Sequence, residues 1–430
     1  MTGVPTVTET HQAIDAVWRI ESARVIAGLA RIVRDVGRAE ELAQDALVAA
    51  LEQWPEQGVP QNPGAWLMTT AKRRAIDHVR REQVLARKVQ ELGHEIETGG
   101  ASPEPDIDAA LDDDIGDDVL RLVFTACHPV LSTEARVALT LRMLGGLSTK
   151  EIARAFLVGE STIQQRIVRA KRTLADAKVP FEVPAANERA GRLASVLEVI
   201  YLIFNEGYSA TAGDDWMRPT LCAEAMRLGR VLAGLTPKDA EVHGLVALLE
   251  IQASRAKART DAQGEPILLL EQNRARWDHM LIRRGLAALQ RAEELSDTRG
   301  PYTLQAALAA CHARAKTAEE TDWARIAALY AELADLMPSP IVELNRAVAL
   351  SMAFGPEVGL QLADMLVDEP SLKSYHLLPT VRGDLLAKLG RFEEARTQFE
   401  RAASLTANAR ERTLLLERAE SCARGEAPAR

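Results

Sequence analysis

Residues 148–175, STKEIARAFLVGESTIQQRIVRAKRTLA, decide how this chain is read. Ser148 and Glu151 have the spacing of a capping box, which opens a first short helix with Ile152, Ala153 and Phe156 turned inward. Gly159 supplies a break, and a second helix starts near Ser161, carrying bases but no acids. Within it Ile163, Ile167, Ala170 and Leu174 recur at helical spacing and fall on one face. That leaves Ser161, Thr162, Gln165, Arg169 and Arg172, with Arg166 beside them, pointing away from the core. Such a face suits a major groove: Gln and Arg pair bidentately with base edges, Ser and Thr reach bases or phosphates, and the cations release counterions. Taken alone, the segment fits two descriptions, a DNA-reading helix pair or a solvated hairpin of an all-helical protein.

Upstream, residues 64–82, GAWLMTTAKRRAIDHVRRE, form a second basic helix. Lys72, Arg73, Arg74, Arg80 and Arg81 crowd one run, while Ala71, Ala75, Ile76 and Val79 keep an apolar seam for packing. Before it, residues 38–54, RAEELAQDALVAALEQW, make an amphipathic helix with an acidic first half and a ladder of Leu42, Ala46, Leu47, Ala50 and Leu51, ended by Trp54 and Pro55. A small bundle with wet charged faces accounts for the same pattern.

The order of these blocks is specific. RAEELAQDALVAALEQW, then NPGAWLMTTAKRRAIDHVRRE, then LSTEARVALTLRMLGGLSTKEIARAFLVGESTIQQRIVRAKRTL resemble regions 2.2, 2.3 to 2.4, and 4.1 to 4.2 of the extracytoplasmic-function group of sigma-70-type RNA polymerase sigma factors. The resemblance covers roughly residues 12–177. It implies that Glu40, Glu41, Gln44 and Asp45 lie on the face that grips the clamp helices of the largest catalytic polymerase subunit. It implies that Lys72, Arg73, Arg74, Asp77, His78 and Arg81 serve the −10 promoter element, and the helix from Ser161 the −35 element. Trp66 stands where the family often has an aromatic residue near the strand-separating surface; stacking on an unpaired base and packing in the core are both open to it. The loop Pro55 to Pro63 is either a receptor for an extruded base or a plain connection. One departure from the family pattern is the turn, where Leu157 and Gly159 occupy a segment that usually has its glycine about two residues earlier.

Between the two basic modules, residues 89–118 hold eleven Asp and Glu and no Lys or Arg, interrupted by Gly99, Gly100, Pro103 and Pro105, which describes an acidic flexible linker. Asp112, Asp113 and Asp114 lack the His, Cys or loop glycine a metal site needs, so a solvated charge run is expected there. By the resemblance, the linker threads the polymerase channel as a polyanionic mimic of nucleic acid. The net charge of −9 is compatible with DNA binding because the bases cluster in the two helices while acids fill the linker and the C-terminal part.

About 250 residues follow. A 430-residue chain that is 47% hydrophobic but only 4% aromatic, rich in Ala, Leu, Glu and Arg, reads as all-α with material for several domains. The divisions expected are 1–88, the region 2 bundle; 89–118, the linker; 119–178, the region 4 helix-turn-helix; 179–300, a helical extension; and 301–430, tetratricopeptide-like helical repeats. In 373–403, KSYHLLPTVRGDLLAKLGRFEEARTQFERAA, the small residues Gly383, Ala395 and Ala402 with Phe399 have the offsets of one such repeat. Residues 323–335 and 339–353 form another helix pair and 404–423 a closing helix, without a strict 34-residue register; a nonrepetitive bundle is the alternative. The segment 192–218, RLASVLEVIYLIFNEGYSATAGDDWMR, resembles one found in sigma factors with a tetratricopeptide-like extension, its apolar helix stopping at Asn205, Glu206 and Gly207. The polar loop that follows, with Tyr208, Asp214, Asp215 and Trp216, is read as structural rather than as a small-molecule site.

No catalytic constellation is present: Cys127 and His128 are neighbours on an expected helix and do not face each other. The four cysteines have no metal or redox spacing, so no cofactor and no metal is expected. The apolar stretch 193–204 is too short and too polar to span a bilayer, and a cytoplasmic protein is expected, with core RNA polymerase and promoter DNA as partners and a protein partner open to the C-terminal repeats. The function so read is that of an alternative sigma factor, not an enzyme, modulated in cis by its extension. The alternative is a stand-alone helix-turn-helix regulator whose repeat domain senses a partner or ligand.

Overall fold

The computed structural model describes residues 7–93, 115–156, 158–208, 217–261, 267–406 and 409–427. Among these residues the regular elements are helices, and the all-α expectation holds. The chain divides into two compact units, Met1–Ile200 and Tyr201–Arg430. The acidic run Asp112 to Asp114, the turn residue Leu157 and the loop residues Asp214, Asp215 and Trp216 lie outside the described residues.

In the first unit, α1 (Val7–Val33), α2 (Val36–Gln57) and α3 (Pro63–Gly93) pack together, as do α4 (Ile115–Ala126), α5 (Thr133–Met143), α6 (Thr149–Ala155) and α7 (Glu160–Asp176). Local chemistry sets the starts. Asp35 accepts from the Arg38 amide at 2.7 Å to open α2, Ser132 caps α5, and Ser148 and Glu151 close the reciprocal capping box of α6. Two expectations need correction. Pro55 lies inside α2, which continues to Gln57; so close to the end a missing N–H costs little, and Gly58, at φ +84°, ends the helix with its amide on the Trp54 carbonyl. Cys127 and His128 lie beyond α4, which ends at Ala126, and His128 accepts the Val130 amide through Nδ1. The long helix α1 had no counterpart in the sequence reading, and it supplies Ile14, Ile26 and Leu29 to the core beside Trp54 of α2 and Leu67 of α3.

The two helix groups of this unit are packed on each other, with α1 against α4 and α2 against α7. Arg31 lies 3.4 Å from the buried Asp118 carboxylate, and Gly146, at φ +66°, lets the α5–α6 turn approach α1 so closely that a Cβ there would sit 2.8 Å from Ser22 Oγ.

Helix α8 (Ala186–Tyr208) runs across the division at 200/201. The expected stop at Asn205 is therefore corrected: the helix continues through Gly207, whose missing side chain admits Cys222, since a Cβ would lie 2.6 Å from its backbone nitrogen. The second unit continues with α9 (Pro219–Leu235), α10 (Ala240–Ala253), α11 (His279–Leu295), α12 (Pro301–Arg314), α13 (Trp323–Leu336), α14 (Pro340–Phe354), α15 (Pro356–Met365), α16 (Leu377–Lys388), α17 (Phe392–Leu405) and α18 (Ala409–Ala423). Proline at the first turn opens α9, α12, α14 and α15, where its lost N–H has no helical partner to miss. Successive helices pair in sequence order, α10 with α11, α12 with α13, α14 with α15, α16 with α17, and α18 closes on α17. Helix α10 is apolar nearly all round and accordingly buried, with Val242, Leu245, Leu248 and Ile251 inside.

The small-residue pattern read in 373–403 has a steric cause. Phe399 is fully buried, and a Cβ on Gly383 would lie 2.8 Å from its ring. Gly383→Val is therefore expected to force α16 and α17 apart and cost about 1–3 kcal/mol. An unfolding midpoint in urea equal to that of the unmodified chain would contradict this contact.

Candidate functional site

The outward face of α7 has the composition read from the sequence. Ile163, Ile167, Ala170 and Leu174 are its buried residues, and Ser161, Thr162, Gln165, Arg169 and Arg172 are exposed, with Arg166 half-buried. The helix begins at Glu160, next to the expected start, with Gly159 as N-cap, and ends at Asp176; the expectation of bases without acids is corrected, since it carries an acid at each end. Both are locally engaged, Glu160 accepting from the Thr149 hydroxyl at 3.1 Å and Asp176 lying 3.5 Å from Arg172. An acid at a helix N-terminus complements the dipole there.

On α3, Ala71 and Ala75 are buried, while Arg73, Asp77 and Arg81 are exposed and Lys72, Arg74 and His78 half-buried. Arg74 lies 3.9 Å from Asp45 of α2, and His78 sits between Glu82, at 3.0 Å, and the Arg38 guanidinium, at 3.0 and 3.1 Å. Trp66 packs edge-on against the buried Trp54 with ring centroids 5.3 Å apart. This contact holds the Trp66 ring at the rim of the bundle while leaving it half-exposed.

The four acidic and amide residues of α2 separate into two environments. Glu41 and Asp45 are exposed and Gln44 half-buried, Glu41 being held by Arg38 at 2.7 Å. Glu40, which the family resemblance puts on the same outward face, is instead buried. Its two carboxylate oxygens take Arg142 of α5 at 2.9 Å and Lys171 of α7 at 2.5 Å. Local sequence patterns do not reveal this cluster, because Glu40 lies 102 and 131 positions from its two partners. A further link joins the groups, Arg19 of α1 to Glu151 of the capping box, whose carboxyl is held below its usual range despite burial by hydrogen bonds from Ser148 and the charge of Arg19.

The polar interruptions of the apolar stretch 193–204 also acquire partners. Arg136 of α5 donates to Ser195 Oγ at 2.5 Å and Glu198 at 3.0 Å, Ser195 donates to the Cys127 carbonyl at 2.8 Å, and Arg192 donates to the Phe124 carbonyl at 2.9 Å. Residues 192–198 thus satisfy the buried carbonyls at and just beyond the end of α4 as well as a buried arginine. Cys127 is fully buried, and loss of solvent pushes its thiol up to about 11, so it stays protonated and unreactive. Among the described residues no group of three His, Cys, Asp or Glu side chains is placed to hold a metal ion, and no helix is long and apolar enough to cross a membrane.

Comparison with known proteins agrees with this geometry. The family described as Sigma-70 region 2 matches residues 19–84, and Sigma-70, region 4 matches residues 121–174. A family of unknown function, DUF6596, matches residues 192–293. An uncharacterized protein of Rhizobium meliloti (strain 1021) is 44% identical over 389 residues, covering 90% of each chain. The ECF RNA polymerase sigma factor SigK of Mycobacterium tuberculosis (strain ATCC 25618 / H37Rv) is 33% identical over 153 residues, 35% of this chain and 78% of the relative. The probable ECF RNA polymerase sigma factor SigI of Mycobacterium tuberculosis (strain CDC 1551 / Oshkosh) is 26% identical over 203 residues, 44% of this chain and 68% of the relative. Two helix groups with the region 2 and region 4 patterns, in that order, and a helical DUF6596 extension after them lead to one assignment: this chain belongs to the extracytoplasmic-function group of sigma-70-type RNA polymerase sigma factors and is an alternative sigma factor of transcription initiation.

Proposed function

We propose that α7 reads the −35 element through Ser161, Thr162, Gln165, Arg166, Arg169 and Arg172, and that α3 serves the −10 element through Lys72, Arg73, Arg74, Asp77, His78 and Arg81, with Trp66 at the strand-separating rim. The observation that carries this reading is the division of α7 into an apolar buried face and a polar, basic exposed one. Bidentate Arg or Gln contacts supply base discrimination and the remaining cations neutralise phosphates. The protein then acts by positioning core polymerase on a promoter, in the cytoplasm, without catalysing a reaction of its own.

The polymerase-facing surface of α2 is assigned to Glu41, Gln44 and Asp45. Glu40 has a different role: with Arg142 and Lys171 it latches region 4 onto region 2 in the free protein. Promoter elements about 25 base pairs apart are separated by roughly 80 Å at 3.4 Å per base pair. Helix α7 cannot reach across that distance while it is packed on α2, so binding to polymerase must separate the two groups. The free chain accordingly binds promoter DNA weakly, and its net charge of −9 works in the same direction.

The extension acts in cis by bracing region 4. Ser195, Glu198 and Arg192 complete hydrogen bonds that α4 and α5 cannot make alone. Region 4 therefore depends on residues beyond its own helix-turn-helix.

Two substitutions test the assignments separately. Arg169→Ala or Gln165→Ala is expected to weaken −35 selection by about 1–3 kcal/mol while polymerase binding stays intact; unchanged promoter selection in both would refute the orientation of α7. Charge reversal at Glu41 and Asp45 is expected to lower holoenzyme yield in a pull-down with core polymerase without altering helicity. Normal pull-down and transcription would remove α2 from the polymerase interface.

A further inference from the structure

Within the second unit, α10, α12, α13 and α14 surround a cavity of about 580 Å³. That is inside the range of roughly 300–1,000 Å³ usual for small-molecule sites. Leu248, Leu308, Ile326 and Leu333 give it an apolar side, Gln252, Gln305, His312, Tyr330 and Asn345 also line it, and Arg255 stands at one side. Among the described lining residues Arg255 is the one permanent charge.

The state of that guanidinium is unusual for a half-buried arginine. It donates to the Gln252 side-chain oxygen and lies 5.9 Å from the Tyr208 ring, and no carboxylate among the described residues pairs with it. The neighbouring Arg274 differs, because its donors are taken by the carbonyls of His312 and Ala315 and the Thr321 hydroxyl. Among the described residues Arg255 has no carboxylate partner beside this space, and a cation in such a place favours an anion.

Two other polar side chains of the lining, His312 and Tyr330, are uncharged. His312 is driven down to about 4 by burial and by Arg255 and Arg274, so its ring is uncharged at pH 7, and its buried Nδ1 has no hydrogen-bond partner. Burial pushes the Tyr330 hydroxyl up to about 12, keeping it protonated, and no hydrogen bond within the described residues occupies it. A single guanidinium among uncharged polar side chains balances one negative charge. A phosphate dianion would need a second cation, and a wholly apolar guest would leave Arg255 unanswered.

We propose that this cavity binds a monoanion in which a carboxylate is carried on an apolar or aromatic body, the carboxylate paired with Arg255 and the body lying along Leu248, Leu308, Ile326 and Leu333. The same chemistry is offered by a small organic acid and by the C-terminus of a peptide ending in an apolar residue. The inference does not depend on the promoter-reading assignments, since every residue it uses lies in the second unit.

Calorimetric titration of the full chain tests it with paired probes: 3-phenylpropionate against 3-phenylpropionamide, and the tripeptide Ala-Leu-Phe with a free against an amidated C-terminus. At least one acid is expected to bind tenfold or more tightly than its amide. Arg255→Gln should level the pair and Arg255→Lys restore part of the preference, with circular dichroism melting curves unchanged. Preference confined to phenylpropionate identifies a small organic acid as the source, and preference confined to the tripeptide identifies a protein C-terminus. Equal affinity of acid and amide, no binding by any probe at millimolar concentration, or acid preference that survives in Arg255→Gln would each overturn the proposal.

Discussion

The Glu40→Lys variant is expected to lose the packing between α2 and α7. The substitution removes a carboxylate whose side chain is only 6% exposed and sets a third cation beside Arg142 and Lys171. Breaking a buried pair of this kind costs about 3–5 kcal/mol, because the remaining charges are left without compensation. Hydrogen exchange should accelerate along α5 and α7 in the free protein, whereas the interior of α1 should keep its protection. Glu40→Gln, which keeps the shape but only one of the two accepting oxygens, should loosen the latch without destroying the fold and raise the rate of holoenzyme formation. Exchange in α7 that is unchanged by Glu40→Lys would mean that the contact contributes nothing. Loss of polymerase binding in Glu40→Gln would mean that Glu40 itself meets polymerase, as the family resemblance implies.

The second large effect is expected from truncation after Lys178. This removes Ser195, Glu198 and Arg192, the hydrogen-bond partners of Arg136 and of the Phe124 and Cys127 carbonyls. Each lost hydrogen bond costs about 0.5–1.5 kcal/mol, more where a charged group takes part, and the apolar side chains Leu193, Val196 and Ile200, buried in the full chain, are lost with them. Promoter-dependent transcription per molecule should fall by more than about tenfold, since that requires only about 1.4 kcal/mol of lost competent region 4. A gain of transcription would replace bracing by masking, and activity equal to that of the full chain at equal abundance would leave the extension with neither role.

What the sequence made legible was local. The capping box at Ser148 and Glu151, the buried stripe Ile163, Ile167, Ala170 and Leu174, and the small residues around Phe399 depend on neighbours within one or two turns or in the adjacent helix. Periodicity and capping chemistry report such relations directly. The features that sequence reading missed are long-range. Glu40 carried the same local signature as Glu41, and only the fold, by bringing Arg142 and Lys171 to it, distinguishes a latch from an outward acid. Ser195 and Glu198 interrupted an apolar stretch and read as obstacles to membrane insertion, whereas they are the polar contacts to Arg136. Arg255 had no motif at all; its isolation is visible only when four helices from distant parts of the chain enclose the same space. Pro55 misled for a different reason, since a proline in the last turn of a helix removes a single hydrogen bond and does not force a stop.

The account rests on the claim that promoter reading by α3 and α7 requires core polymerase to separate and hold them. The direct measurement is footprinting and run-off transcription on a promoter selected from a random library, with the purified chain alone, core polymerase alone, and both together. The account predicts protection of two separated elements and specific transcripts only when both are present, with the −35 protection weakened by Arg169→Ala. A footprint made by the chain alone, of the same extent and at comparable concentration, would contradict it and identify the protein as a regulator that reads DNA without polymerase.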